Sequence, residues 1–333
     1  MQTTLFQMKS LVAGLGLALL ATHALAKDSS YAKHPLTAPF IAEMSEESGF
    51  LSEPLQALFA NAERKQAILD AISRPAERVK LWKEYRPIFI TQSRVDKGVE
   101  FMAKNKEALE RAEEEYGVPA EFIVAIIGVE TIYGGNTGSY RVLDALATLA
   151  FDYPPRAPFF RQQLKEFLML TREEQVDPLS LKGSYAGAMG LPQFMPGSFR
   201  AYAVDFDNDG RIDIWQNPTD AVVSVANYFI KHGWQPRQNV VVRADIKKPS
   251  VAEKGLSDSL DPKITVKELK KLGWKPRSEL DDDTKVTAFR LDAENGTEYW
   301  IGLANFHAIT RYNRSVMYAM AVNELAELLA ANR

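Results

Sequence analysis

From about Leu51 to Tyr116, apolar residues recur at helical spacing among Lys, Arg and Glu, as in Leu55, Leu58 and Phe59 and again in Val99, Phe101, Met102 and Leu109. Residues three and four apart share one face of an α-helix, so this stretch predicts an α-helical lobe. Gly117 is suited to the left-handed position that stops a helix, and Pro119 to the first turn of the next one. That next helix carries an almost unbroken apolar run, Phe122 to Val129, and ends on a single acid, Glu130. A helix apolar all round belongs in a core.

The glycines and Asn136 between Tyr133 and Gly138 break the pattern, and helical spacing resumes from Arg141 to Thr171, interrupted by a proline cluster at Tyr153 to Pro158 that reads as a loop. A glycine-rich stretch, Gly183 to Gly190, leads into Leu191 to Pro196, and helix returns over Thr219 to His232. From Asn239 to Ile301 the period changes. Val240 to Val242, Val286 to Leu291 and Thr297 to Ile301 read as strands, the last two flanking Asn295-Gly296 as in a β-hairpin, with one short helix near Val266 to Leu272. Helical spacing from Asn305 to Leu329 closes the chain. The organisation expected is a targeting segment at 1–26, an α lobe at 27–117, a helical core at 118–236, a small α/β insertion at 237–302 and the rest of the core at 303–333. The fold class is predominantly α, formally α+β.

The first 26 residues combine a polar start bearing Lys9, an apolar Leu11 to Leu20 and the small-x-small triplet Ala24-Leu25-Ala26, which predicts export and cleavage after Ala26. The apolar core is shorter than the roughly 20 residues of a membrane span, so a periplasmic protein without a membrane span is expected once it is cleaved. The chain has no cysteine, which excludes disulfides and a lipid-modified cysteine anchor. Loss of residues 1–26 takes the formal charge from −3 to −4, since Lys9 leaves with no acid. No basic stripe is present, so nucleic acid is an unsuitable partner, and four His without Cys make a zinc site an unsuitable expectation. The 46% hydrophobic and 25% charged composition is that of a folded globular chain, so stability must come from its core.

Glu130 is the first candidate for chemistry. A carboxyl held against hydrocarbon is disfavoured as an anion, and a general acid needs its proton near neutral pH. The same residue also reads as a structural carboxyl closing a core helix. Asp205-Phe206-Asp207-Asn208-Asp209-Gly210 sets oxygen donors at alternate positions with glycine at the sixth, the arrangement of an EF-hand loop around a hard cation. Arg211 would offer its backbone carbonyl. Gln216 stands where the bidentate Glu is usual, and Asp220 is available as the last carboxylate; the other reading is an Asx-rich turn with Asp220 as a helix cap. The glycine-rich stretch lacks the phosphate-loop pattern, so its small residues are read as letting backbone approach an extended ligand, with Ser184 and Gln193 as hydrogen bonders. Aromatics crowd around it: Tyr133, Tyr153, Phe194, Tyr228, Tyr312 and Tyr318. With a protonated acid and amide and hydroxyl donors, they suggest a carbohydrate groove.

Taken together, Ile127-Gly128-Val129-Glu130-Thr131, Gly183 to Gly190 with Gln193-Phe194-Met195-Pro196, Asp205 to Trp215, Ala226 to Phe229, Ile309 to Asn313 and Tyr318 to Val322 resemble the lytic murein transglycosylase B family, in order and over nearly all of the mature chain. The resemblance implies a lysozyme-like helical core with an α lobe and a small β-containing lobe. It implies Glu130 as the sole catalytic acid and base, and Ser184, Gln193, Phe194, Asn227, Tyr228, Tyr312 and Tyr318 along the glycan groove, with Tyr85 of the α lobe reaching it. Calcium, in a structural role, would sit with Asp205, Asp207, Asp209, Arg211 and Asp220; no organic cofactor is implied. Arg156 matches one of two adjacent arginines of the family pattern, its neighbour here being Pro155. Pro192 stands where a glycine is usual and His307-Ala308 where a more aromatic pair is.

The activity implied is cleavage of the β-1,4 bond between N-acetylmuramic acid and N-acetylglucosamine in peptidoglycan, leaving a 1,6-anhydro end, by a protein expected to act as a monomer on glycan strands. Ordinary glycosidases use two carboxyls, whereas one acid stands out here, so participation of the substrate's N-acetyl group is implied. Two alternatives are a hydrolytic muramidase on the same core and a catalytically silent glycan-binding envelope protein.

Overall fold

The computed structural model describes residues 30–74 and 80–332, so the targeting segment expected at 1–26 lies outside the described residues. The chain builds the predicted helix-rich α+β fold around one very apolar helix. The preceding helices are α1 (Thr37–Ser48), α2 (Ser52–Asn61), α3 (Gln66–Ile72), α4 (Trp82–Phe89), α5 (Gln92–Lys104) and α6 (Lys106–Tyr116), the last stopped by Gly117 at φ 65°. Then comes α7 (Ala120–Thr131), entered through Pro119 at the N-cap itself, one place earlier than its preferred first turn. Ile123 to Ile127 of α7 are fully buried, because α5, α6, a later helix α11 and the C-terminal helix pack around it.

A two-residue strand β1 (Tyr140–Arg141) leads into α8 (Val142–Asp152) and α9 (Ala157–Glu173). Between those two helices the proline cluster forms a 3-10 turn, Pro154–Arg156, and Pro158 already lies in the first turn of α9. Proline is tolerated there because the first turn of a helix lacks partners for its N–H groups anyway. Strand β2 (Lys182–Gly183) pairs antiparallel with β1, setting Tyr140 opposite Gly183 and Arg141 opposite Lys182. Helix α10 (Pro196–Tyr202), which the apolar spacing did not announce, precedes α11 (Pro218–Lys231).

The insertion has its own small core. Strands β3 (Val241–Ile246), β4 (Ile264–Thr265), β5 (Trp274–Pro276), β6 (Lys285–Ala293) and β7 (Gly296–Gly302) form one antiparallel sheet in the order β4-β6-β7-β3-β5. It packs on α12 (Pro249–Ala252) and α13 (Val266–Lys271), burying Val242, Val266, Leu269, Trp274 and Ile301. Thr265 caps α13 reciprocally with Glu268, which accounts for so short a helix. The hairpin expected at Asn295-Gly296 is present but shifted: Ala293 pairs with Gly296, so the two loop residues are Glu294 and Asn295. Gly296 takes φ 110°, the left-handed glycine that restores strand twist after such a loop.

The closing pattern resolves into α14 (Ala304–Tyr312) and α15 (Val316–Ala331), parted at Asn313 and restarted by Ser315, whose hydroxyl accepts the Tyr318 N–H. Helix α15 packs on α7, α4, α5 and α14, so the end of the chain encloses the helix that carries Glu130. Among the described residues no helix is long and apolar enough to cross a membrane.

Candidate active site

Glu130 occupies the last turn of α7 and is half-buried. Beyond it the backbone is strained: Ile132 and Tyr133 both take left-handed conformations, at φ 54° and 58°, which non-glycine residues rarely adopt outside functional sites. This reversal turns the Tyr133 ring back onto α7, where Gly128 and Gly98 make room for it. A Cβ at Gly128 would come within 2.6 Å of the phenol, and one at Gly98 within 2.4 Å. The phenol then donates to the Arg94 carbonyl at 2.9 Å, tying α5 to the end of α7. Thr131, fully buried, lies with Oγ1 3.0 Å from the carbonyls of both Ile127 and Leu191 and accepts the Gly134 N–H. One hydroxyl thus joins the helix end, the following turn and the glycine-rich segment.

A partner of the acid comes from 188 residues away: Tyr318 on α15 donates its hydroxyl to Glu130 Oε1 at 2.5 Å. Burial raises the Tyr318 pKa well above the usual tyrosine value, and the charge of Glu130 adds to it; Tyr312 is raised for the same two reasons. Both phenols are therefore neutral donors across the working pH range. The Tyr312 hydroxyl donates to the Pro192 carbonyl at 2.7 Å, and its ring meets Tyr228 at 4.6 Å and Phe194 at 5.9 Å. Tyr228 in turn donates to the Arg311 carbonyl and stacks on His232 at 4.0 Å. Burial raises the Tyr228 pKa and lowers that of His232. Helices α11, α14 and α15 and the segment around Gln193 thus deliver one aromatic wall beside the acid.

Gln193 sits in that segment with φ 52°, its amide nitrogen donating to the Gly190 carbonyl at 2.9 Å and to the Thr137 carbonyl at 3.1 Å. Ser184 Oγ accepts the Ala188 N–H at 3.1 Å, closing the tight loop whose ends meet through Gly183 and Met189. The expectation that the glycines here make way for a ligand needs correcting. A Cβ at Gly138 would fall 2.1 Å from the Gly183 carbonyl, one at Gly183 2.2 Å from the Ala188 carbonyl and one at Gly190 2.5 Å from the Ile214 carbonyl. The protein's own backbone uses that space.

The other expected residues are placed differently. Asn227 is half-buried and donates to the Tyr202 carbonyl at 2.8 Å. Arg156 is exposed on the 3-10 turn, its guanidinium 4.7 Å above the Phe159 ring and 5.0 Å from that of Phe160. Tyr85 is buried on α4 between Trp82 and Phe89 and faces Tyr318 closely enough for their charges to interact. Thr131 and the slot made by Gly98 and Gly128 were missed from the sequence. The strained reversal has no local sequence signature: Ile132 and Tyr133 are not turn formers, and the breakers noted in the sequence begin only at Gly134.

In the acidic loop, oxygens of Asp205, Asp207 and Asp209 all lie within 4.8 Å of one another. Asp205 accepts the N–H groups of Asp209 and Gly210, and Asp207 is held by the Asn217 amide at 2.8 Å. Asp220 is fully buried in the first turn of α11, each oxygen accepting one backbone N–H, from Phe206 and from Asp213 at 2.9 Å. The helix cap is Asn217 instead. Burial, helped by the charges of Asp207 and Asp205, pushes the Asp220 pKa up against those two hydrogen bonds. The converging carboxylates of Asp205, Asp207 and Asp209 fit a hard divalent cation.

The model for the family described as transglycosylase SLT domain matches residues 32–327. Over 312 residues the chain is 43% identical to membrane-bound lytic murein transglycosylase B of Escherichia coli, covering 91% of this chain and 85% of that protein. Among solved structures it is similar to catenated lytic transglycosylase SltB1 from Pseudomonas aeruginosa, with 61% identity and a TM-score of 0.88 over 91% of this chain and 99% of that one. It is also similar to the Escherichia coli lytic transglycosylase SLT35 in complex with calcium, with 44% identity and a TM-score of 0.83 over 91% and 95%.

Proposed function

Because the chain belongs to the transglycosylase SLT domain family and is a lytic murein transglycosylase, an enzyme acting on peptidoglycan, we propose that Glu130 alone supplies both proton transfers of the reaction. As an acid, its carboxyl gives a proton to the glycosidic oxygen as the bond from C1 of N-acetylmuramic acid to that oxygen breaks and N-acetylglucosamine leaves with a new hydroxyl. The charge left at C1 is met by the substrate's own N-acetyl group, an accepted substitute for a second carboxylate. As a carboxylate, Glu130 then takes the proton of the muramoyl C6 hydroxyl while that oxygen bonds to C1. The products are a 1,6-anhydro ring and an unchanged enzyme, with no water consumed.

The observation that carries this reading is the 2.5 Å hydrogen bond from Tyr318 to Glu130 at the mouth of the aromatic wall. A neutral buried donor on a carboxyl oxygen steadies the charge when the carboxylate forms, and so eases the loss and return of the Glu130 proton. Gln193, Ser184, Phe194, Tyr228 and Tyr312 line the groove in this reading, with Asn227, Arg156 and Tyr85 at its margins. The test is mass spectrometry of digested sacculi alongside Glu130→Gln. The expected result is anhydromuramoyl ends from the native enzyme and, from the variant, a rate lower by at least about 10²- to 10⁴-fold with binding of glycan retained. Reducing muramoyl ends, or turnover surviving the substitution, would overturn it.

Calcium at Asp205, Asp207, Asp209, Asp220 and the Arg211 carbonyl is part of the same reading, in a structural role: the cation offsets the repulsion that folding imposes on these carboxylates. The converging oxygens support it. Residues 1–26 are read as an export segment cleaved after Ala26, giving a monomer that acts on glycan strands in the periplasm; the intact mass of the secreted protein checks the cleavage.

A further inference from the structure

A cleft of about 500 Å³ lies beside the glycine-rich loop, walled by Thr137 and Gly138 on one side, Ser180 and Lys182 on a second, and Trp215 and Gln216 from the acidic-loop exit on a third. Its volume is that of small-ligand sites, roughly 300 to 1,000 Å³. We propose that this cleft is a distal saccharide subsite, taking a murein sugar of the strand remote from the bond that is cleaved, with a carboxylate of the stem peptide on that sugar held by Lys182 and Arg211. The inference rests on the glycan-groove reading and extends it.

Continuity with the acid's own surroundings is the first argument. Thr137, which lines the cleft, gives its carbonyl to the Gln193 amide, and Gly138 lies against Gly183 and Ser184 so closely that any Cβ there would clash. The cleft therefore begins where the candidate groove residues end. Its chemistry is the second argument. The Trp215 ring is partly exposed while its indole N–H is already satisfied by the Lys182 carbonyl at 3.3 Å, so what it offers a ligand is an apolar face. Phe199 backs that ring at 5.8 Å, and Leu191 N–H to the Ile214 carbonyl, at 2.9 Å, fixes the segment carrying it to the glycine-rich loop. A rigid aromatic platform beside a primary amide and a hydroxyl suits a pyranose, which has one apolar face and a polar rim. Charge is the third argument. Lys182 and Arg211 are exposed at the rim and, among the described residues, neither side chain has a hydrogen bond or ion pair, whereas the two carboxylates of the same lining are turned to backbone, Glu174 to the Ile212 N–H and Asp213 to the N–H groups of Trp215 and Gln216. Two available cations favour an anionic substituent.

The test uses full-length Glu130→Gln protein and calorimetric titration with GlcNAc–MurNAc-peptide tetrasaccharide and octasaccharide. The expected result is tighter binding of the octasaccharide by about tenfold, an advantage that Trp215→Ala abolishes while tetrasaccharide affinity stays the same. Lys182→Ala and Gln216→Ala, both exposed, should each reduce that advantage with an unchanged melting temperature, which keeps the test independent of any loss of folding in the tryptophan variant. An octasaccharide advantage that survives all three substitutions, or equal weakening of both lengths, overturns the proposal. Failure of the underlying reading would register separately, as turnover persisting in Glu130→Gln.

Discussion

At the scale of single residues, the hydroxyl of Tyr318 is the group whose removal is most informative. Phenylalanine keeps the buried ring and deletes one hydrogen bond to a chargeable acid, an interaction worth about 1.5 to 3 kcal/mol. Tyr318→Phe should therefore lower kcat by roughly 10- to 100-fold with little effect on KM, measured as release of soluble muropeptides. His232 makes a second prediction. Burial against Tyr228 and Tyr202 holds its pKa below the usual 6.5, so the unfolded chain takes up a proton more readily than the native one. The stability it contributes is whole above pH 6.5 and is lost as the pH falls from there toward the depressed native value. Melting temperatures between pH 5 and 7.5 should decline on the acid side, and His232→Gln should flatten that decline.

At the scale of elements, the end of α7 and the acidic loop each depend on a close approach that a single atom can spoil. Gly128→Ala puts a methyl 2.6 Å from the Tyr133 phenol, so either the ring leaves its slot or α7 moves. A cost of about 1 to 3 kcal/mol is expected, read as a lower unfolding midpoint in urea, together with a loss of activity larger than Tm alone accounts for, because the reversal beyond Glu130 loses its anchor. For the acidic loop, saturating calcium should raise the melting temperature and a chelator should reverse the rise. At a hundred times the dissociation constant the gain is about 2.7 kcal/mol. Asp207→Asn should abolish the response.

Across the whole molecule, the site is closed by segments far apart in the described chain. Helix α15 supplies Tyr318 and covers α7, while α4 of the N-terminal lobe lies against α15 and is joined to it by the ion pair between Arg86 and Glu324. The inserted sheet keeps a separate small core, so its folding and that of the helical part need not coincide. A chain truncated after Gly302 should lose both activity and the cooperative melting of the helical part, since Leu325 and Leu329 of the missing helix are fully buried; circular dichroism during heating checks this.

Much of this was legible from residue order. The apolar run ending in Glu130 announced a core helix and its acid because a 3.6-residue period with no polar face admits one environment. Gly117, the Asn295-Gly296 hairpin and the acidic loop were equally plain, since helix stops, tight turns and oxygen-rich loops are specified by adjacent residues. What residue order could not carry was anything set by approach between distant segments: which hydroxyl reaches Glu130, that each Asp220 oxygen accepts a backbone N–H, that the glycines of Gly183 to Gly190 make room for the protein's own atoms, and that Trp215 and Lys182 meet around a cleft. Those depend on how α7, α11, α14 and α15 pack, and a hydrogen bond spanning 188 residues leaves no local period to read.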